Sequence, residues 1–433
     1  MKTLAQIAAE LQGYEPQALP AHTVNAFLAQ MVPLPREAED VPLMQALGRV
    51  LAAPVISPID VPAHDNSAMD GYAFCGQALQ PDQPLALKLV GTALAGEAYR
   101  GAVAPGQCIR IMTGAVMPAG LDTVVPQEMA VVDGTQITIP PGAVRNGDNR
   151  RARGEDLQQG TVALAKGSVL APASLGLLAS LGLPQVRVWR RLRVAYFSTG
   201  DEILSLGEPV REGAVFDSNR YTVWGMLQRM GVECVDLGVV PDEPAQLEAA
   251  FRLAAARADA IITSGGVSVG EADHTKAMMR KIAQSDTPGE GGVVFWRIAM
   301  RPGRPMAVGR VGRIPLFGLP GNPVAVMVTF LAFVRPALWQ MMGANPDDPA
   351  VAPPLLKARS TVAVRKKAGR TEYQRAIVSV DAAGQLGVQT TGDQGSGVLR
   401  SMVRANGLLV LHHEQGNVAP GDLVDVMVFA GVL

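Results

Sequence analysis

The stretch Asp259-Ala-Ile-Ile-Thr-Ser-Gly-Gly-Val-Ser-Val-Gly-Glu-Ala-Asp-His-Thr-Lys276 decides the fold. It opens on an apolar strand signal, Ala260–Thr263, and passes through small residues. It then starts a helix whose first turn carries Glu271 and Asp273. A strand handing over to a helix through so short a loop belongs to an open α/β sheet. The glycines at 265, 266 and 270 let backbone approach a ligand and present N–H groups to an anion. The acids behind them suit a hard cation bridging to a phosphate. A phosphate-plus-metal site at the sheet edge is the first expectation.

Outward from this stretch, residues 191–343 keep a βαβ rhythm. Strand signals at 192–197 and 234–240 alternate with helix signals at 219–230 and 244–257. After Leu316-Phe317 comes Gly318-Leu-Pro-Gly-Asn-Pro323, then a long helix to Met341. This alternation predicts a doubly wound parallel-sheet domain. Residues 58–150 change to short alternating segments cut by Pro and Gly, which predict an inserted all-β domain, a small barrel or sandwich. Residues 350–433 read as a second small β domain. Helix signals at 23–31, 43–51 and 174–183 predict that 1–57 and 151–190 form a discontinuous helical or extended linking domain. The fold class expected is multidomain α/β with two small all-β domains.

Composition narrows the function. The 433 residues exceed one ordinary core, and 48% hydrophobic against 18% charged allows ample burial. Lys+Arg at 38 against Asp+Glu at 39 argues against a nucleic-acid partner. No apolar run reads as long enough to span a bilayer, and the first residues reach Glu10 too early for a secretory leader. Cys75, Cys108 and Cys234 are too scattered for a disulfide framework or a zinc cluster. The expectation is a soluble protein of a reducing compartment, the cytoplasm, with no membrane partner.

Ligands of open α/β sheets bind beyond the carboxyl ends of the strands. Ser198-Thr-Gly-Asp-Glu202 follows the first strand, Pro241-Asp-Glu-Pro244 the second, Ser264-Gly-Gly266 the third, and Gly318–Pro323 the last. Any one of these acids alone reads as a helix cap. Acids and open backbone on one sheet edge read as a site. Arg297, Arg301 and Arg304 lie in a strap that Pro302 and Pro305 keep from being helical, which suits oxyanion binding. Gly266-Val-Ser268-Val-Gly270 also fits the nucleophile elbow of serine hydrolases. Downstream histidines are only His274, His412 and His413, in positions unsuited to the triad order. A further polar segment, Asp60 to Ala73, interrupts the inserted module and reads from composition as Asx turns.

Seven motifs in order carry a resemblance. They are Asp65-Asn-Ser-Ala-Met-Asp-Gly-Tyr-Ala73, Ile111-Met-Thr-Gly-Ala115, Arg153-Gly-Glu-Asp156, Ser198–Glu202, Ser264–Asp273, Arg301-Pro-Gly-Arg-Pro305 and Gly318–Pro323. Over nearly its whole length the chain resembles the molybdopterin molybdenumtransferase family, and it is similar to the C-terminal domain of gephyrin. The resemblance implies an elongated four-domain protomer, a head-to-tail homodimer, and contact with other proteins of molybdenum cofactor synthesis. It implies adenylylated molybdopterin and molybdate as substrates, a transferase reaction releasing AMP, and Mg²⁺ or a similar divalent cation.

Carried over by motif, Glu202, Asp242 and Asp273 would ligate the cation, while Asp65, Thr113 and Asp156 would act across the dimer. Ser264, Gly265, Gly266 and Ser268, with Pro320, Gly321, Asn322 and Pro323, would hold phosphate and pterin. Arg301, Arg304, Arg375 and Ser396 would hold molybdate, and Arg297 of the same strap would bind substrate. The strap carries arginines where the family often has lysines, which changes its hydrogen-bond geometry. The alternatives are a nucleotide pyrophosphatase-like enzyme and a non-catalytic molybdopterin-binding scaffold. The acids at 202, 242 and 273 favour the enzyme over the scaffold.

Overall fold

A computed structural model describes residues 2–12, 14–266, 281 and 291–430. Two compact units emerge: residues 1–53, 166–172 and 185–433 form one, and 54–165 with 173–184 the other.

In the larger unit a six-stranded sheet runs in the order Glu233–Val240, Arg193–Thr199, Ala260–Ser264, Ile314–Leu319, Pro305–Val311, Gly292–Arg297. The first four strands are parallel, and the last two pairings are antiparallel. The sheet is therefore mixed at one edge, where only a parallel sheet was expected. Pro302, Gly303 and Pro305 break the chain between two strands close in sequence, and such strands pair antiparallel through a short return.

Alternate residues of each strand face opposite layers. Val194, Tyr196, Ile262, Val308 and Phe317 join one core with the helices Ala21–Met31 and Ser218–Arg229. Ala195, Phe197, Ile261, Ala307 and Leu316 join the other with the helix Pro244–Arg257. Burial on both faces explains why these strands read as unbroken apolar runs.

The helix beginning at Pro323 continues to Met341 through one wider π turn, Phe330–Val334. Pro336 lacks the amide that would answer the carbonyl four residues earlier, which accounts for the widened turn. At 19 residues this helix is long and apolar enough to cross a bilayer, contrary to the sequence reading, but 83% of it is buried as a core helix.

In the C-terminal part, Leu356–Ser360, Thr371–Val380, Leu386–Thr390, Gly407–Leu411 and Leu423–Val428 close into a barrel. Thr371–Val380 closes it by pairing with both Leu386–Thr390 and Gly407–Leu411. Residues 43–51 form no helix beyond the single turn Leu43–Gln45. Their backbone is claimed by distant partners: the Gly48 amide donates to Leu170 O at 2.8 Å and that of Leu51 to Ser168 O at 3.1 Å. Ala38–Pro42 pairs with Gln185–Trp189, so much of the expected helical linker is extended.

The smaller unit contains one six-stranded sheet, ordered Thr123–Pro126, Gly71–Phe74, Gln107–Ile111, Leu85–Ala93, Gln136–Ile139, Val131–Asp133. Its edge strands do not pair with each other among the described residues, so it is open where a barrel or sandwich was expected. Apolar clusters around Tyr72 and Phe74 and around Ile109 and Val124 cover its two faces.

Candidate active site

The strand order reverses between Arg193–Thr199 and Ala260–Ser264, and this switch point is where an open sheet leaves a crevice. A cavity of about 1080 Å³ opens there, large enough for an elongated ligand. Register puts Ser198 beside Ser264. Tyr196, two residues back on the same face, joins them: its hydroxyl lies 2.7 Å from Ser264 Oγ and 2.9 Å from Ser198 Oγ. Burial holds the Tyr196 phenol far above its ordinary pKa, so this hydroxyl stays protonated and serves as a hydrogen-bonding floor.

Gly265 is fixed by the same crossing. It has φ +89°, and a Cβ there would meet Thr199 O at 2.3 Å. Its amide donates to Leu319 O at 3.3 Å, so it is not the free anion donor expected from the sequence. Gly266 has φ +64° but is not part of the cavity wall. Ser268 and Asp273 lie outside the described residues.

The opposite wall is the turn Pro320-Gly321-Asn322-Pro323. Asn219 Nδ2, from the second residue of the helix Ser218–Arg229, donates to Gly321 O at 2.7 Å. The terminal barrel completes this wall through the loop at Ser396. Asn322 Nδ2 donates to Ser396 Oγ at 3.0 Å, and the Val324 amide to Ser396 O at 3.1 Å. The helix N-terminus is thus partly capped by the barrel loop, a contact that local sequence pattern does not reveal.

Arg375 holds that loop. It is 1% exposed, and its Nη2 donates to Asp393 O at 3.1 Å and Gly395 O at 2.9 Å. Nη1 reaches Gln394 O at 3.2 Å and Nε reaches Ser401 Oγ at 2.9 Å. Expected as a molybdate donor, it instead spends these hydrogen bonds on protein oxygens. It borders a separate pocket of about 240 Å³. Arg301 and Arg304 line the main cavity, whereas Arg297 does not.

Glu202 lines the cavity, with its carboxylate folded over Gly200: a Cβ on Gly200 would meet Oε2 at 2.5 Å. Asp217, unnoticed in the sequence, lines it too, and its buried Oδ2 has no hydrogen-bond partner among the described residues. Asp242 lies beside Asp201, whose Oδ1 accepts the Asp242 amide at 3.2 Å, and is not part of the cavity wall. Among the described residues no three acids or histidines form a metal cluster. Hard carboxylate oxygens with an orphaned Oδ2 nonetheless fit a divalent cation. Asp217 could have been found as the residue preceding the helix Ser218–Arg229, where its Oδ1 accepts the Arg220 amide at 3.0 Å.

In the smaller unit, Asp65 Oδ1 accepts the Arg153 amide at 2.8 Å. Thr113 donates through amide and hydroxyl to Asp70 Oδ1, each at 2.7 Å. The Asp156 amide donates to Val61 O at 3.1 Å, and its side chain is exposed. The three motifs of this unit therefore share one set of loops. Burial pushes the thiols of Cys108 and Cys234 up to about 11, so neither is a thiolate nucleophile at neutral pH.

Fold and site together define a multidomain enzyme class in which a switch-point α/β domain is flanked by β-rich modules. Three family regions match in succession: MoeA N-terminal region (domain I and II) over 19–182, the probable molybdopterin binding domain over 195–340, and MoeA C-terminal region (domain IV) over 357–429. A Haemophilus influenzae protein named molybdopterin molybdenumtransferase is 41% identical over 94% of this chain and 97% of its own length. Gephyrin of Dictyostelium discoideum is 29% identical over 94% of this chain and 62% of its own. The solved molybdopterin biosynthesis moeA protein of Pyrococcus horikoshii superposes with TM-score 0.79 at 26% identity, covering 95% of this chain and 100% of that one. The chain belongs to the molybdopterin molybdenumtransferase family.

Proposed function

We propose that the protein inserts molybdenum from molybdate into the dithiolene of adenylylated molybdopterin and releases AMP. The switch-point cavity carries this reading, because it joins carboxylates, hydroxyls and guanidiniums within one volume of about 1080 Å³. Pyrophosphate and pterin would lie along Ser264 and the 320–323 turn. Glu202 and Asp217, together with Asp242 and Asp273, would hold Mg²⁺. That ion would polarise the pyrophosphate as a Lewis acid.

Arg301 and Arg304 would receive molybdate, and Ser396 would orient it, since an oxyanion needs charged donors. Arg375 would act at one remove, by holding the Ser396 loop. Asp65, Thr113 and Asp156 would complete the site from a second copy in a homodimer. The reaction would be cytoplasmic and would hand its product to other proteins of cofactor synthesis.

The deciding experiment mixes purified protein, adenylylated molybdopterin, Mg²⁺ and molybdate and follows AMP. Molybdate-dependent AMP release is expected. Intact adenylylated substrate after prolonged incubation would refute the reading.

A further inference from the structure

Beneath the cavity three hydroxyls lie in mutual contact. Ser198 and Ser264 line the cavity, whereas Tyr196 is 1% exposed and outside its wall. The Tyr196 oxygen lies 2.7 Å from Ser264 Oγ and 2.9 Å from Ser198 Oγ, and the two serine oxygens stand 3.3 Å apart. Strand register fixes the arrangement, because Ser198 pairs with Ser264 and Tyr196 stands two residues before Ser198 on the same face. The Gly265 amide is committed to Leu319 O at 3.3 Å. Among the described residues of this loop, that leaves the Ser264 hydroxyl as the donor brought to the cavity.

A serine hydroxyl has one proton, and its direction decides whether Ser264 attracts an anion or repels it. With that proton given to Tyr196, only lone pairs would meet the ligand. The phenol is the more acidic hydroxyl and so the better donor, and the shorter of its two contacts is to Ser264. Burial first, and the nearby Asp217 carboxylate second, keep the phenol protonated. A phenol that donates to Ser264 has its lone pairs left to accept from Ser198. The Ser264 proton then has two destinations. Ser198 at 3.3 Å lies beyond the usual O–H···O range, and a ligand oxygen in the cavity can come within it. Hydrogen bonds in such a row polarise and strengthen one another.

We infer that Tyr196 is a positioning residue: its hydroxyl accepts from Ser198, donates to Ser264, and so turns the Ser264 proton into the cavity toward a phosphoryl oxygen. The inference deepens the functional reading above and rests on it for the identity of the anion.

The test is a double-mutant cycle on the full chain with Tyr196→Phe, Ser264→Ala and the pair. It is read by equilibrium dialysis against inorganic phosphate and AMP in separate arms. Tyr196→Phe keeps the ring in its core and removes one oxygen. It should weaken binding of both anions about threefold to tenfold, the worth of one hydrogen bond. In the Ser264→Ala background the same change should cost nothing further. Equal losses in both backgrounds would mean that Tyr196 only fills the floor, and would overturn the inference. So would a Tyr196→Phe variant that binds as tightly as wild type, or a wild type that binds neither anion.

A spectroscopic arm needs no variant. Phosphate added to the wild type should shift the ultraviolet tyrosine band, because the phenol's bond to Ser264 strengthens once Ser264 donates onward. An unmoved band at saturating phosphate overturns the inference. Neither readout involves turnover. Coupling without AMP release would strike the functional reading alone, and AMP release without coupling would strike this inference alone.

Discussion

In the smaller unit the loop acids are answered at close range. Asp60 meets the Arg153 guanidinium at 2.6 Å and the Gln159 amide at 2.8 Å, and Asp70 takes two bonds from Thr113. At the switch point of the larger unit, buried polar atoms go unanswered: Thr199 Oγ1, Asp217 Oδ2 and Asn219 Oδ1 have no partner among the described residues. Buried polar groups are normally satisfied, because leaving one bare costs about 1–3 kcal/mol. Satisfied groups hold shape. Bare ones that line a cavity are what a polar ligand would complete.

Substitutions can break this contrast. The largest effect should come from a saturated group, Arg375. Arg375→Ala leaves the part-buried carbonyls of residues 393–395 without their shared donor and should cost about 3 kcal/mol in a urea titration. A stability change under about 1 kcal/mol would show that the loop holds itself.

Next is an open group. Glu202→Gln keeps volume and lies on an exposed residue, so the thermal midpoint should stay put while AMP release falls about a hundredfold or more. A rate within twofold of wild type would remove Glu202 from the cation site. Smaller still, Asn219→Ala cuts the tie to Gly321 and should raise substrate KM about tenfold with little change in kcat, as loss of one hydrogen bond predicts.

Thr113→Val is the mildest change, and pH reads it. The Thr113 amide and then its hydroxyl hold the Asp70 carboxyl below its ordinary range. A depressed folded pKa gives stability that is present above the unfolded pKa and lost as pH falls through the folded one. Thr113→Val keeps the amide, so the Asp70 carboxyl should titrate higher than in wild type but still below a free carboxylate. Carboxyl-resolved NMR titration measures this, and an unmoved Asp70 would show that the amide alone sets it.

Much of the α/β domain was legible in the chain. The alternation of apolar runs with helix signals foretold the strands Arg193–Thr199, Glu233–Val240 and Ala260–Ser264 and the helices between them. Local pattern succeeds there because each element answers to its own periodicity. The same method took 43–51 for a helix, since nothing nearby reveals that the carbonyls of Leu170 and Ser168 will accept from its amides.

The site was legible in part. Motif acids and the 318–323 turn pointed to the sheet edge where the cavity opens, and Glu202, Ser264, Arg301, Arg304 and Ser396 all line that cavity. Arg375 looked like a donor for the ligand because a sequence shows charge but not burial. Asp217 looked ordinary because its significance lies in what surrounds it.

By itself the amino-acid order determined the rhythm of elements, the family and the chemical type of the cavity. These follow from short-range periodicity and from residue types that chemistry restricts. Only the folded chain decided which charges face the cavity and which are spent inside the protein. That choice depends on burial and on partners as remote in sequence as Asn322 and Ser396, and contacts across such separations are set by packing.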